Sequence, residues 1–179
     1  LLGAALLIAK LTSGQSMSIF TLTKGSPGSP AAAYVAQANR EMRGVFVATA
    51  YNINYPSRQS LHEQQLKQEL DDIIETCLNH QLNAVFFQVS PNSDALYDSD
   101  ILPISYVLTG KEGTSAPNQF DPLAYLIEKA HARQIQVHAW VNPVRVTTET
   151  LTFDQLSADN PAAQHPEWTV EYGSVSYYN

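Results

Sequence analysis

The chain has 179 residues, 44% of them hydrophobic, enough for one globular domain with a sizeable core. A formal net charge of −7 excludes nucleic acid and anionic membrane surfaces as natural partners, since both require clustered Lys and Arg. The single cysteine, Cys77, excludes an intrachain disulfide; it falls among the apolar positions of a predicted helix, as a buried structural thiol would.

The first predicted element is an export segment. Leu1 to Ala9 is an apolar run too short to span a bilayer and of the right length for the core of a signal peptide. Ala31-Ala32-Ala33 and Ala36-Gln37-Ala38 offer small-residue cleavage sites, and Ser26 to Pro30 has the composition of a linker. Residues 1–40 are therefore expected to be an export segment and linker, and residues 41–179 a folded domain. The protein is expected to be secreted, periplasmic or associated with the cell envelope, with no stable membrane span after cleavage. An uncleaved anchor is the alternative, and it too exports the chain.

Strand and helix then alternate, the pattern of an α/β protein with a parallel sheet. Gly44 to Tyr51 is a nearly continuous apolar run, predicting a strand covered on both faces. Ser60 with Glu63 predicts a capping box, and Leu66, Leu70, Ile73, Ile74, Cys77 and Leu78 form one apolar stripe, predicting a helix from Leu61 to His80. Asn83 to Ser90 is the second predicted strand, with Val85, Phe87 and Val89 on one face and Phe86, Gln88 and Ser90 on the other. The segment from Pro91 to Gln119 is long for a connection in a compact domain, which predicts a functional loop. Asp121 as N-cap and Pro122 at the first helical position open a second helix, with Leu123, Leu126, Ile127 and Ala130 as its stripe. Both helices stop at Gln (Gln81 and Gln134), where Gly is the commoner residue.

The third predicted strand runs from Ile135 to Asn142 and ends at Pro143, which lacks a ladder donor. Val137, Ala139 and Val141 alternate with His138, Trp140 and Asn142, so an imidazole, an indole and an amide share the face that Gln88 occupies on strand two. Polar groups at the carboxyl ends of parallel strands suit the ligand-binding mouth of an α/β barrel. Val144 to Asn179 is expected to be a long third loop.

Several motifs occur in one order with consistent spacing: Arg43-Gly44-Val45-Phe46-Val47-Ala48-Thr49, Asn83-Ala84-Val85-Phe86-Phe87-Gln88-Val89, Asp94-Ala95-Leu96-Tyr97, Leu108-Thr109-Gly110, Asp121-Pro122-Leu123, and His138-Ala139-Trp140-Val141-Asn142-Pro143 with Arg145. His165-Pro166-Glu167-Trp168 accompanies them. Together they resemble the glycosyl hydrolase-like 10 domain, an exported bacterial family built on a (β/α)8 TIM barrel. The resemblance implies that the chain is the incomplete, N-terminal part of such a barrel. It also implies cleavage of glycosidic bonds in a bacterial polysaccharide, with peptidoglycan glycan strands the substrate of some members.

The side chains agree with a sugar site. Trp140 and Tyr97 can cover the apolar face of a pyranose, while Gln88, Asp94, His138, Asn142 and Arg145 can bond hydroxyls, an N-acetyl group or a carboxylate. No cofactor motif and no paired metal ligands compete; His138 lacks a second His nearby. Glycoside hydrolysis requires two facing carboxyl groups, roughly 5 to 10 Å apart. The resemblance places the family's acidic motif beyond Asn179, which leaves the catalytic residues unassigned; within the chain Asp94, Asp98, Asp100, Glu112 and Asp121 are available, but Asp121 is better used as a helix cap, the others lie on the long loop, and Asp94 is better suited to binding or loop structure than to catalysis. The alternatives are a carbohydrate-binding barrel module without catalysis and a metal-dependent polysaccharide deacetylase-like enzyme. Ser90, Ile104 and Val144 stand where the family commonly has Arg, Trp and Tyr, each a loss of a sugar-binding type of side chain.

Overall fold

A computed structural model describes residues 41–179; the predicted export segment and linker lie outside the described residues. Three parallel strands, β1 (Gly44–Val47), β2 (Ala84–Ser90) and β3 (Gln136–Val141), form one sheet in the order β1-β2-β3. The helices are α1 (Glu63–Asn79), the single turn α2 (Tyr106–Thr109), α3 (Pro122–Ala132) and the single turn α4 (Pro161–Gln164). A separate antiparallel hairpin, β4 (Thr169–Tyr172) and β5 (Val175–Tyr178), closes the described chain.

The apolar stripes decide which face is covered. Leu66, Leu70, Ile74 and Cys77 of α1, with Leu126 and Ala130 of α3, pack onto Val47, Val85, Phe87 and Val89, all buried, with Val45 and Val137 beside them. Burying that apolar surface, at about 25 cal/mol per Å², stabilises this face of the sheet. The other face carries Phe46, Phe86 and His138, which are direct neighbours across the three strands. Gly44 makes room for that row: a Cβ there would sit 2.7 Å from the Phe86 ring.

The structure corrects three local expectations. β1 ends at Val47 rather than Tyr51, because the next N–H groups turn to side chains: Ala48 donates to Asn54 Oδ1 (2.9 Å), and Thr49 and Ala50 to Gln88 Oε1 (2.8 and 2.9 Å). The capping box of α1 is made by His62 and Gln65, not Ser60 and Glu63. Ser60 lies in the left-handed region (φ 58°), and its hydroxyl and N–H go to the carbonyls of Thr109 and Leu108. The segment after Val144 is no plain loop: its Val146 and Thr147 N–H groups donate to Ser176, and Tyr172 and Val175 pair across a Gly173-Ser174 turn. Strands so short and so exposed lack the apolar run that makes β2 visible in the sequence.

Candidate functional site

The open face of the sheet is a row of rings. Phe86 stacks on Phe46 (4.7 Å between centroids, 17° between planes) and on His138 (4.8 Å, 21°), while Trp140 meets Phe46 edge-on at 5.6 Å and 86°. Phe46 is 64% exposed although it belongs to the sheet. Strand alternation puts Gln136, His138, Trp140 and Asn142 on that side, and they bond in pairs: His138 Nε2 with Gln136 Oε1 (3.1 Å), and the Trp140 indole N–H to Asn142 Oδ1 (3.0 Å).

Asn142 also donates its amide to the Pro91 carbonyl (2.9 Å), so the indole is held by a residue that is itself fixed to the end of β2. Gln88, Trp140's partner in register, turns its amide oxygen to the Thr49 and Ala50 N–H groups, while Thr49 Oγ1 donates to the Gln88 carbonyl (2.8 Å). Gln88 thereby shapes the β1–α1 loop. Beyond it the β2–β3 ladder shifts register between Gln88 and Ser90, an irregularity of the kind that re-aims side chains beside sites.

Asp94 lies under the surface of the long β2–α3 connection. It is fully buried, accepting at Oδ2 from the Ser105 hydroxyl (2.6 Å) and the Tyr106 N–H (3.2 Å), and at Oδ1 from the Asn92 N–H (3.2 Å). Burial pushes its carboxyl up to about 6, against the pull of those donors. Glu112 accepts from the Ser157 N–H and from Asn160 Nδ2 (3.0 Å), and burial lifts it to about 7, with the nearby Asp94 charge adding to the rise. Glu112 stitches the second connection to the third, through Ser157 and Asn160, and Asn160 also donates to the Ser93 carbonyl and caps α4.

Tyr97 rests against the helix-side core. Arg145 forms a backbone bridge with Tyr177, and its guanidinium has no hydrogen bond or ion pair among the described residues. The structure therefore gathers His138, Trp140 and Asn142 on one face, gives Gln88 and Asp94 scaffold bonds, and sets Tyr97 and Arg145 elsewhere. Among the described residues no group of three or more His, Cys, Asp and Glu is arranged to hold a metal, and no helix is long and apolar enough to cross a membrane.

A cleft of about 360 Å³ opens at the carboxyl end of the sheet, lined by residues that sequence reasoning passed over. Tyr51, Asn52 and Arg58 come from the β1–α1 loop, Asn92 and Tyr106 from the second connection, and Thr148 from the third. Tyr51 and Asn52 both adopt left-handed backbone (φ 56° and 54°), a costly conformation for an aromatic residue and one that concentrates at ligand sites. Asn52 fixes the wall by donating to the carbonyls of Pro56 and Val107, both at 2.9 Å. The signal in the sequence was the polar run Tyr51-Asn52-Ile53-Asn54, hidden by its continuity with strand one.

Residues 41–179 match the family described as Glycosyl hydrolase-like 10 along their whole length. The chain belongs to that family. It is similar to glycosyl hydrolase YngK of Bacillus subtilis (strain 168), with 40% identity over 144 residues, covering 80% of this chain and 28% of that protein. It is also similar to glycosyl hydrolase DigH of Escherichia coli (strain K12), with 33% identity over 187 aligned positions, covering 94% of this chain and 40% of that protein. This glycosyl hydrolase-like 10 chain thus spans well under half the length of the relatives it matches.

Proposed function

We propose that the protein is a glycoside hydrolase of a bacterial polysaccharide, with peptidoglycan glycan strands as substrate, and that residues 41–179 supply part of the sugar-binding mouth of an exported (β/α)8 barrel. The observation that carries this is the ring row on the face of the sheet opposite α1 and α3, with Trp140 near the carboxyl end of β3 fixed through Asn142. An immobilised indole beside an amide and an imidazole offers a pyranose an apolar platform and bonding partners at little ordering cost. Membership of a glycosyl hydrolase-like family and the names of the relatives support the reaction class.

The catalytic carboxyl pair is placed on segments C-terminal to Asn179. Asp94 and Glu112 are buried and bonded within the connections, and neither lines the cleft, so neither is positioned to protonate a leaving group or to attack an anomeric carbon. Arg145, whose guanidinium has no partner among the described residues, is a second point of contact for the glycan. Incubating the full-length protein with purified glycan strands should generate new reducing ends. In the same protein Trp140→Ala should weaken glycan binding by about 1 to 3 kcal/mol, the range for nucleobases stacked on aromatic side chains. Binding without turnover would identify a non-catalytic module, and unaltered binding in Trp140→Ala would remove the ring row from the site.

A further inference from the structure

We propose that Tyr51 is a sugar-stacking residue at the carboxyl end of the sheet, and that the protein keeps a strained backbone in order to hold its ring there. The proposal rests on the carbohydrate reading above and adds to it a residue outside the ring row.

Tyr51 and Asn52 are consecutive residues of the β1–α1 loop in left-handed backbone (φ 56° and 54°), and only one of them has a structural reason to be there. Asn52 accounts for its own conformation. Asparagine enters this region several times more readily than most residues, and its side chain ties the loop to the carbonyls of Pro56 and Val107. Tyr51 has no such account. Left-handed backbone crowds its Cβ against the following carbonyl oxygen, a cost that an aromatic residue can offset by burying its ring. This ring is 50% exposed, lies outside the apolar core, and among the described residues stacks on no other ring and makes no side-chain hydrogen bond.

The conformation is imposed by neighbours. Gln88 Oε1 takes the Thr49 and Ala50 N–H groups out of the β1 ladder, and the Asn52 and Ile53 N–H groups then close on the Thr49 and Ala50 carbonyls (3.0 and 3.3 Å). Gly or Asn at position 51 would follow the same path with less strain; neither carries a ring. A strained side chain that contributes nothing to packing, placed on the wall of a cleft of about 360 Å³, is the pattern of a residue kept for a ligand. Tyr106 lines the same cleft, its ring packed on the core and its hydroxyl without a hydrogen bond among the described residues. A pyranose matches the pair, with an apolar face for the Tyr51 ring and hydroxyls for the two phenols.

The test sets stability against binding in the full-length protein, with purified glycan strands as the probe. Tyr51→Asn and Tyr51→Gly relieve the backbone and remove the ring, so each should raise the melting temperature by about 1 to 3 °C while weakening glycan binding at least about fivefold. Opposite signs are the signature of strain kept for a ligand. Tyr51→Phe keeps the ring and should retain affinity within about threefold, with the melting temperature unchanged. A ring that serves packing would instead lower the melting temperature when it is removed. That fall in both variants, or unaltered affinity in Tyr51→Asn, would overturn the role of Tyr51 while binding by the unaltered protein leaves the carbohydrate reading in place. Failure of the unaltered protein to bind the strands would overturn both.

Discussion

The two ends of the parallel sheet are built by different chemistry. Where α1 passes to β2 and α3 to β3, the connections are a few residues long, and their polar groups are half-buried or exposed. Arg43 Nε donates to the Gln81 carbonyl (2.9 Å), Arg43 N–H to Asn83 Oδ1 (2.8 Å), and Gln136 N–H to the Asn83 carbonyl (2.8 Å). At the opposite end the connections are long and their polar groups are buried: Thr49, Gln88, Asn92, Ser93, Asp94, Ser105, Glu112, Thr148 and Asn160 are all nearly or fully out of solvent. A buried polar group stabilises only when every partner is in place, so this end is held by a network whose members depend on one another. One end joins helices to strands; the other holds the loops in shape.

If the difference is real, the long-connection end should be fragile to single deletions. Asn160 is the sharpest probe, since its side chain serves the Ser93 carbonyl, Glu112 and the Ala162 N–H at once. Asn160→Ala leaves those groups dry and α4 uncapped, and should cost about 2 to 4 kcal/mol. The midpoint of urea denaturation reads the loss directly. A change below about 0.5 kcal/mol, the size of an ordinary surface substitution, would show that the third connection is not tied down through this residue.

The same end should make the fold acid-tolerant. Asp94 is raised from 3.8 to about 6 and Glu112 from 4.5 to about 7, so the folded state holds these protons more tightly than the unfolded chain does. With more protons bound in the folded state across the interval, stability falls as pH rises from about 4 to about 7 and levels off above that. Each tenfold gain in proton affinity on folding is worth about 1.4 kcal/mol, so the melting temperature should be higher near pH 5 than near pH 8 by on the order of 10 °C. Glu112→Gln should flatten the upper half of that slope. A melting temperature that rises steadily from pH 5 to pH 8 would contradict the burial of these acids.

The two ends were also unequally legible in the sequence. Helix-side packing follows from periodicity alone: the α1 stripe and the Val85, Phe87, Val89 face name the core without any structure. Alternation likewise puts His138, Trp140 and Asn142 on the face of Phe86. The cleft was not legible, because its residues come from three connections with no period, and because the end of β1 is set by Gln88 from another strand. The β4–β5 hairpin escaped for a related reason. Tyr172 is 83% exposed and Val170 is 46% exposed, so no buried alternation marks the strand.

The smallest expected effect lies at the short end, and it shows that this end is not optimised. α1 and α3 both close with a residue in left-handed backbone, Gln81 at φ 54° and Gln134 at φ 61°. The following N–H groups reach back five residues, Leu82 to the Cys77 carbonyl (2.8 Å) and Ile135 to that of Ala130 (2.9 Å), the Schellman pattern that satisfies the last helical carbonyls. That geometry explains why Gly is the commoner residue there: a Cβ in left-handed backbone costs roughly 1 to 2 kcal/mol, offset in part by the extra freedom of Gly in the unfolded chain. Gln81→Gly should therefore stabilise the fold by about 0.5 to 1 kcal/mol, visible as a rise in the denaturation midpoint with an unchanged slope. A loss of stability instead would mean that the Gln81 side chain contributes to this end more than its backbone conformation costs, and the contrast with the long-connection end would narrow accordingly.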